Sequence, residues 1–376
     1  MDRITLSPQQ AAAVETIVAW YQNRRHEQQV ARIWGYAGCG KSTIAHHIIT
    51  ALGLAPMKPG GRGGVLFAAF TGKAALVMTR KGTPAQTLHS LIYRVSEATP
   101  EEIERVTADL AALKGDLPRL GPAERAFALM QMRQLELRLK DIHQPKFVIN
   151  EQSVLRDADL LVLDEVSMVG AELGQDLLAF GKPILVLGDP GQLPPVKGTG
   201  FFTEAVPDVM LSQVHRQAGD SAILRLATLA REGQPIPAGE HDPHVWTLPR
   251  AAVGPAQMLR GGQVICARNA TRRWLNSAMK HAAGFAADFP TGQGEKIICL
   301  KNRHDLGLVN GQFLHLRGVA DDPEDAVAFS AEVTTEDGEA VAGRQRFWRG
   351  EYADHVAYDP ERGRREWQAR RGLIES

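Results

Sequence analysis

A glycine-rich segment near the N-terminus has the residue types and spacing that bind phosphate. Residues Gly35–Thr43 read Gly-Tyr-Ala-Gly-Cys-Gly-Lys-Ser-Thr, which fits the pattern of glycine, four residues and Gly-Lys-Ser/Thr. Lys41 would reach the outer phosphates, and the Ser42 hydroxyl would hold Mg²⁺. The segment predicts a site for ATP and Mg²⁺, and an ordinary glycine-rich turn is the alternative. The residues expected around the triphosphate are Gly38, Cys39, Gly40, Lys41, Ser42 and Thr43.

Two adjacent carboxylates follow an apolar run later in the chain. Leu160–Leu163 predicts a buried strand, and Asp164 and Glu165 come directly after it. Two carboxylates at the carboxyl end of a strand are costly unless a cation or a reaction requires them. We expect Asp164 to hold Mg²⁺ through water, and Glu165 to orient and deprotonate the attacking water.

A third polar segment follows the apolar run Ile184–Leu187. Residues 188–195 read Gly-Asp-Pro-Gly-Gln-Leu-Pro-Pro. We expect Gln192 to sense the γ-phosphate, and the rigid Pro194 and Pro195 to transmit its position. The Asp-Pro-Gly portion is also compatible with a plain turn. A functional role is favoured because three strand ends would then meet at one edge of a sheet.

Regular elements surround these segments and would position them. Val30–Trp34 is a β-rich run before the glycine-rich segment, and Ile44, Ile48 and Leu52 recur every four residues after it. This gives a strand, a turn and a helix in the order that a phosphate-binding loop requires. Val65–Phe70 predicts a further apolar strand. The pattern therefore predicts an α/β fold of the P-loop type.

A charged segment interrupts this core. Residues Thr99–Ile142 are rich in Glu, Arg, Leu and Ala, and Pro100 and Pro122 each precede a helical pattern. We predict two or more surface helices inserted at about residues 97–150, with solvated charges and no catalytic role. Lys146–Ile149 predicts a short strand.

The start of the first predicted helix carries a capping sequence. Ser7 is a good N-cap, Pro8 suits the first helical position, and Gln10 completes a capping box. The Gln10 amide could instead pair with an adenine edge. Both roles stay open at this point.

Two predicted turns between strand and helix carry groups that suit nucleic acid. Thr71 and Lys73 lie in one turn, and Thr87 and His89 lie in the other. Hydroxyl groups and a lysine at such turns can hold a phosphodiester backbone. An ordinary capped helix is the alternative.

Composition narrows the class of protein. A chain of 376 residues can hold two or three domains, and its formal net charge of +0 means that any nucleic-acid contact must come from a local groove. Cys39, Cys266 and Cys299 have no paired spacing, which argues against a disulfide framework or a zinc site and suits a reducing cytoplasm. No apolar run approaches membrane-spanning length, and the N-terminus lacks a signal-peptide pattern. We expect a cytoplasmic protein without a membrane partner.

Together these motifs resemble the RecD-like group of superfamily-1 helicases, which includes Dda and the helicase parts of conjugative relaxases. The resemblance runs from about Leu6 to Asn310 and follows the motif order of the family. The matching segments are Leu6 with Gln10 (the glutamine motif), Gly35–Thr43 (motif I), Phe70–Ala75 (motif Ia), Thr87–Ser90 (motif Ib), Asp164–Met168 (motif II), Gly188–Pro195 (motif III) and His215–Gln217 (motif IV).

The resemblance implies two RecA-like domains that bind ATP in a cleft and move 5′→3′ on single-stranded DNA. It favours adenine recognition by Gln10 and implies that Arg216 reaches the γ-phosphate, where a guanidinium stabilises developing charge. Phe70 stands where the family often has proline and could stack on a base, with a buried core phenylalanine as the alternative. The other implied DNA contacts are Thr71, Lys73, Thr87, His89, Pro194 and Pro195.

The resemblance also predicts the domain organisation. Residues 1–210 would form the RecA-like domain 1A, and residues 211–311 the first part of the RecA-like domain 2A. Residues 312–376 would form a small SH3-like β domain, because short β-rich runs alternate there with turns. In domain 2A, Gln263–Ala267 is predicted as a strand, and the following turn at Arg268–Asn269 would contact DNA.

Two late motifs of the family do not occur in context. One is a Thr/Ser-x-His-Lys-x-Gln-Gly segment, and the other is a Thr-Arg motif whose arginine contacts the γ-phosphate. A parallel sheet without its late strands exposes an apolar edge and face. The chain is therefore expected to be a fragment of a longer helicase, a protein completed by a second chain, or a degenerate ATP-binding protein, and the first two are favoured.

The function predicted from the sequence is an ATP- and Mg²⁺-dependent DNA helicase motor acting on single-stranded DNA or tailed duplex DNA. Its catalytic residues would be Lys41, Asp164, Glu165, Gln192 and Arg216. One alternative is another P-loop enzyme such as a kinase, which has no need for the segments around Gln192 and Thr87. The other is a nucleotide-gated DNA-binding module that does not unwind its substrate.

Overall fold

The computed structural model describes residues 6–23, 28–36, 38–96, 99–142, 146–195, 198–213, 221–285, 294–300, 302–322 and 328–348. The chain divides into two compact units. The first consists of Met1–Phe70 with Ala74–His215, and the second of Thr71–Lys73 with Arg216–Ser376. Each unit has its own hydrophobic core.

A six-stranded parallel sheet forms the centre of the first unit. The strands of this unit are β1 (Val30–Gly35), β2 (Val65–Ala69), β3 (Ala85–Thr87), β4 (Tyr93–Ser96), β5 (Lys146–Ile149), β6 (Leu160–Asp164), β7 (Ile184–Gly188) and β8 (Val209–Leu211). All except β4 and β5 join the parallel sheet, in the order β3-β2-β6-β7-β1-β8. Every residue of β7 is buried, as expected for a parallel strand covered on both faces.

The helices that follow in chain order are α1 (Pro8–Asn23), α2 (Lys41–Ala51), α3 (Gly72–Arg80), α4 (Leu88–Ile92), α5 (Pro100–Asp116), α6 (Pro122–Ile142) and α7 (Ala171–Leu178). All except α5 and α6 contribute to the cores on the two faces of the sheet, and the first two residues of α3 are grouped with the second unit. Ile44 and Ile48 of α2 are completely buried and pack in one cluster with Ile33 of β1. The four-residue spacing seen in the sequence therefore places the apolar side of α2 on the sheet.

The helical insertion is present where the sequence predicts it. Helices α5 and α6 pack against each other, with Val106, Leu110 and Ala128 buried. The insertion leaves the core through β4 and returns through β5, which form an antiparallel pair. Lys146–Ile149 is thus a strand, as predicted, and it pairs outside the main sheet.

The second unit combines three short helices with antiparallel strands. Its elements are α8 (Ala222–Arg231), β9 (Gly239–Asp242), β10 (Val245–Thr247), α9 (Pro255–Arg260), α10 (Asn269–Ala282), β11 (Glu295–Ile298), β12 (Phe313–Asp321), β13 (Ala328–Thr335) and β14 (Gln345–Trp348). Strands β11 to β14 form a four-stranded antiparallel sheet in chain order. Leu316 and Phe329 lie at the centre of its core.

The predicted P-loop α/β fold with a helical insertion is confirmed by this architecture. The four-stranded sheet lies in the part of the chain expected to contain the SH3-like domain, but that type of barrel and the predicted domain boundaries stay predictions. Within the described ranges, each helix is too short or too polar to cross a membrane.

The predicted strand at Gln263–Ala267 is wrong. These residues are described, and no strand is found there. The side chain of Ile265 is 93% exposed. A β-rich run becomes a strand only when a neighbour pairs with it, and the described residues supply no such neighbour here.

Candidate nucleotide site

Three adjacent strands bring the predicted catalytic segments together. Strands β6, β7 and β1 are neighbours in the parallel sheet, so their carboxyl ends lie side by side. Asp164 ends β6, Gly188 ends β7, and Gly35 ends β1. The strand order confirms the expectation that three strand ends meet at one edge, which is where α/β proteins bind ligands.

The glycine-rich segment forms a tight turn into α2. Gly38 and Gly40 have positive φ angles of 87° and 81°, a backbone conformation that favours glycine. Gly40 is the N-cap of α2, and a Cβ atom there would lie 2.7 Å from Nε2 of Gln10. The glycines thus permit both the turn and the close approach of Gln10, and the amino end of α2 faces the loop as a phosphate site requires.

Lys41 is held within this turn. Its ammonium Nζ donates to the carbonyl oxygens of Gly35 at 2.6 Å and Tyr36 at 3.2 Å. A triphosphate in the loop would offer charged oxygens in place of these neutral carbonyls, and charge-assisted hydrogen bonds are the stronger ones. The position of Lys41 therefore suits binding of the outer phosphates.

Ser42 and Asp164 approach each other although they are far apart in sequence. The Ser42 hydroxyl donates to a carboxylate oxygen of Asp164 over 3.4 Å. Burial raises the pKa of the Asp164 carboxyl above its ordinary value of 3.8, opposed by the hydrogen bond from the Glu165 amide. A divalent cation would compensate the buried carboxylate, and hydroxyl and carboxylate oxygens are the ligands that Mg²⁺ prefers. The pair fits a Mg²⁺ site completed by the nucleotide.

Within the described residues, no group of three His, Cys, Asp or Glu side chains could hold a metal ion by itself. Mg²⁺ in nucleotide sites is commonly bound by one or two protein groups together with substrate phosphates.

Glu165 has an unusual backbone conformation. Its φ of 57° and ψ of 46° place it in the left-handed region, and it is the one non-glycine residue with positive φ in the described part of the chain. Such a conformation costs free energy, and strained residues of this kind concentrate at functional sites. The side chain is exposed at the strand end, which suits a residue that must reach water.

Gln192 is tied to the segment that carries the two carboxylates. The buried hydroxyl of Ser167 donates to the Gln192 side-chain oxygen at 2.9 Å. Ser167 lies within motif II, and the sequence pattern assigns no role to it. Its position two residues after Glu165 was the available signal, and the bond to Gln192 spans 25 residues, which no local pattern reveals.

Gln10 caps the first helix and also contacts the phosphate-binding loop. Its side-chain oxygen accepts from the Ser7 backbone N–H at 3.1 Å, and the Ser7 hydroxyl accepts from the Gln10 backbone N–H at 3.3 Å. Its Nε2 donates to the Cys39 carbonyl at 3.2 Å. The capping box is therefore present, and adenine recognition by Gln10 stays a prediction.

Part of the predicted DNA-contact set forms an aromatic cluster in the first unit. The rings of Phe70 and His89 lie 5.6 Å apart, centre to centre. His89 also contacts Tyr93 and Phe147, and Phe147 is 59% exposed. Burial lowers the pKa of His89, which favours a neutral ring. The sequence analysis missed Tyr93 and Phe147 because they lie on β4 and β5, at either end of the insertion.

The remaining predicted contacts are distributed over other elements. The Thr87 hydroxyl accepts from the Ser90 backbone N–H and caps α4, so the capping alternative is present there. Thr71 and Lys73 belong to the second unit. Pro194 and Pro195 follow Gln192 in a stretch without regular structure.

Three further predicted site residues remain: the two DNA contacts Arg268 and Asn269 at the start of α10, and the γ-phosphate arginine Arg216. Arg268 is the N-cap of α10, and the Asn269 side-chain oxygen accepts from Arg272 at 3.3 Å. Arg216 lies outside the described residues.

Residues 5–242 of the chain match the family described as AAA domain, which is more than half of the chain. The chain belongs to this AAA domain family. Within it, the chain is similar to the ATP-dependent RecD2 DNA helicase of Deinococcus radiodurans, with 43% identity over 76 residues. That match confirms the resemblance to RecD-like helicases drawn from the motifs. It covers 18% of this chain and 10% of that protein, so the chain matches about a tenth of its relative's length.

Two solved structures are also similar to this AAA domain protein. The Pif1 helicase from Candida albicans has a TM-score of 0.40 and 17% identity, with 92% of this chain and 78% of that chain covered. A Pif1 helicase double mutant from Bacteroides has a TM-score of 0.36 and 16% identity, with 91% of this chain and 74% of that chain covered. Similarities at this level carry no argument about activity.

Proposed function

We propose that this chain is the ATP- and Mg²⁺-dependent motor part of a DNA helicase that moves 5′→3′ along single-stranded DNA. The observation that carries the proposal is the approach of Ser42 to Asp164 beside Lys41. These three side chains supply a hydroxyl, a carboxylate and an ammonium group where a triphosphate and its Mg²⁺ need them. The similarity to a RecD2 DNA helicase supports DNA as the substrate, and we place this activity in the cytoplasm as part of the proposal.

Each residue of the site has a distinct role in the proposed hydrolysis. Lys41 would bind the outer phosphates, and Ser42 and Asp164 would hold Mg²⁺, which would supply positive charge to the phosphate oxygens when bound. Glu165 orients the attacking water and accepts its proton. Ser167 holds the Gln192 amide at the same strand ends, from where Gln192 would sense whether the γ-phosphate is present.

The motor step requires a second contribution to this site. We propose that Arg216 reaches the γ-phosphate and stabilises the transition state, so that the nucleotide state changes the grip on DNA. Phe70 and His89 of the aromatic cluster would contact DNA. The other proposed DNA contacts are Thr71, Lys73, Thr87, Pro194, Pro195, Arg268 and Asn269. Base stacking and phosphate contacts of this kind are largely independent of sequence and depend strongly on salt.

The exposed Ile265 favours a helicase in which further strands pair with the run Gln263–Ala267. An apolar side chain that is 93% exposed suits a segment that gains partner strands from elsewhere. We propose that a longer form of the chain or a second chain supplies the missing family motifs. The competing function, a nucleotide-gated DNA-binding module, is supported by the missing late motifs and predicts ATP-dependent DNA binding with negligible turnover.

The test is ATP turnover with and without single-stranded DNA. We expect DNA to stimulate turnover, and we expect Glu165→Gln to lower kcat by about 10²- to 10⁴-fold with little change in nucleotide affinity, because proton transfer and water positioning alone are lost. Glu151→Gln is the control, since it removes an exposed carboxylate paired with Arg156 in the same unit. Near-normal turnover in the Glu165→Gln protein would exclude Glu165 as the general base.

Two further outcomes separate the competing functions. Turnover indifferent to DNA favours another P-loop enzyme such as a kinase, and DNA binding without turnover favours the gated module. Unwinding of duplexes that carry either a 5′ or a 3′ tail tests the direction, and we expect only the 5′-tailed duplex to be unwound.

A further inference from the structure

Two lysines share one aromatic ring in the second unit. The ammonium nitrogen of Lys73 lies 4.1 Å from the ring centre of Phe313, and that of Lys296 lies 4.2 Å from the same point. Both distances are within the range of cation–π contacts. The two ammonium groups are therefore no farther apart than the sum of these two distances, although like charges repel each other.

Strand pairing places Lys296 beside this ring. Strands β11 and β12 are antiparallel, with Ile298 opposite Phe313. Lys296 lies two residues before Ile298, and residues two apart along a strand point to the same face of a sheet. Lys296 and Phe313 are therefore on one face, and the contact follows from the register of the two strands.

Close packing between the backbone at Gly72 and the segment Val309–Gly311 places Lys73 near Phe313. A Cβ atom on Gly72 would lie 3.1 Å from Cβ of Val309, and one on Gly311 would lie 3.5 Å from Cβ of Lys73. Val309 is itself held by the Gln312 side-chain oxygen, which accepts from its N–H at 3.2 Å. The start of α3 at Thr71–Lys73 thus packs against the segment Val309–Gln312, and this directs the lysine to Phe313.

The cluster carries a surplus of positive charge. Lys296 forms an ion pair with Glu336 over 3.7 Å. Lys73 forms no ion pair with any residue that the structure describes. Lys73 also lies in the turn where the sequence analysis predicts a contact with a phosphodiester backbone. Positive charge beside an aromatic ring is what proteins use to bind single-stranded nucleic acid, and here two ammonium groups outnumber the one carboxylate of Glu336.

We propose that Lys73, Lys296 and Phe313 form a binding site for the phosphodiester backbone of single-stranded nucleic acid. The proposal rests on the proposed helicase function and adds two residues, Lys296 and Phe313, that no motif of the sequence indicates. Phe313 acts as a positioning residue that holds the two ammonium groups near each other. Lys296 and Lys73 neutralise adjacent parts of the backbone.

The test measures binding of a fluorescent oligo-dT strand across a series of salt concentrations. For single strands, each neutralised phosphate contributes about 0.7 to the slope of log affinity against log salt. We expect Lys296→Gln to reduce the steepness of this slope by about that amount and to weaken binding at low salt by roughly 3- to 10-fold. Lys296→Arg, which keeps the charge and the contact with the ring, should retain most of the slope.

Lys114→Gln is the matched control. Lys114 also forms an ion pair with a glutamate, Glu136, over 3.7 Å, but it lies on α5 of the insertion. Its replacement removes the same kind of ion pair, and we expect the salt dependence to stay unchanged. Phe313→Leu tests the positioning role and should lower the slope without removing either charge. Thermal unfolding of each variant verifies that the sheet is intact.

The outcomes separate this inference from the proposed function. A Lys296→Gln slope equal to that of the unchanged protein, with DNA-stimulated ATP turnover preserved, would overturn the site and leave the motor standing. Equal losses in Lys296→Gln and Lys114→Gln would also overturn it, since the effect would then be one of overall charge. Failure of the unchanged protein to bind oligo-dT would overturn both the site and the motor.

Discussion

The two units of the molecule differ in how they hold their strands. In the first unit, six parallel strands pair in one sheet, and the strands that lead to the nucleotide site are almost wholly buried. In the second unit, the β-rich run at Gln263–Ala267 pairs with no described strand, and Ile265 is 93% exposed. A run of β-branched residues therefore forms a strand only where neighbouring strands pair with it.

The same difference is visible in the chemistry. Ser42 contacts Asp164, and Ser167 contacts Gln192, because neighbouring strands end together. The proposed contacts of the second unit are placed by an antiparallel register and by one close turn. The nucleotide site is thus a product of the parallel sheet, whereas the lysine pair is a product of the smaller antiparallel sheet.

The largest effect on stability is expected for a substitution in the buried parallel sheet of the first unit. Leu163 lies in β6 and is completely buried, so Leu163→Ala should lower the free energy of unfolding of the first unit by about 2–5 kcal/mol. Unfolding in urea, followed by tryptophan fluorescence, measures this. Leu137→Ala is the control, because Leu137 is 60% exposed on α6 and should cost less than about 1 kcal/mol. Equal costs at the two leucines would show that β6 is not part of a packed core.

A smaller change in stability, of opposite sign, is expected for Asp164→Asn. Burial raises the pKa of its carboxyl, so below the ordinary value of 3.8 the folded and unfolded states both hold the proton. As pH rises through the folded-state pKa, the folded state must ionise a buried group, and stability contributed by the protonated form is lost. Asp164→Asn should therefore stabilise the nucleotide-free protein, by an amount that grows with pH and then levels off.

The measurement for Asp164→Asn is the urea unfolding free energy from about pH 3, below the unfolded-state pKa, to about pH 7.5. Mg²⁺ with ATP should reduce the advantage of the variant, because the cation compensates the natural carboxylate. A difference between the two proteins that does not vary with pH would contradict the assignment of a buried, destabilising carboxylate at the end of β6.

The smallest effect on stability is expected for a substitution in the exposed run Gln263–Ala267 of the second unit. Ile265→Ser should change the free energy of unfolding of this chain by no more than about 0.5 kcal/mol, because the side chain is already in water. If a further segment or a second chain pairs with this run, the same substitution should weaken that association clearly. Urea unfolding of the chain alone tests the first expectation, and a large loss of stability would mean that Ile265 is packed.

The segments that form the candidate nucleotide site could be picked out in the sequence because their signals are local. The glycines, Lys41 and Ser42 lie within one short segment, and Asp164 follows an unbroken apolar strand. The bond between Ser167 and Gln192 and the ring contacts of Phe147 join residues that lie far apart in the chain. Such pairs depend on strand order and on the path of the insertion, which periodicity does not encode.

The second unit was less predictable for a related reason. The apolar pattern at Gln263–Ala267 is that of a strand, yet whether the run forms one depends on partners elsewhere. The contact between Lys73 and Phe313 joins two residues separated by most of the chain. Such a contact requires the backbone approach at Gly72, which a sequence pattern does not reveal.

The side chain of Gln10 has a consequence for how the nucleotide site opens. One amide group is bonded both to the start of α1 and to the Cys39 carbonyl, so fraying of that helix end also removes a support of the loop. Helix start and loop therefore belong to one cooperative folding element rather than two. Anything that tightens the loop also suppresses local unfolding of the first turn of the protein's first helix.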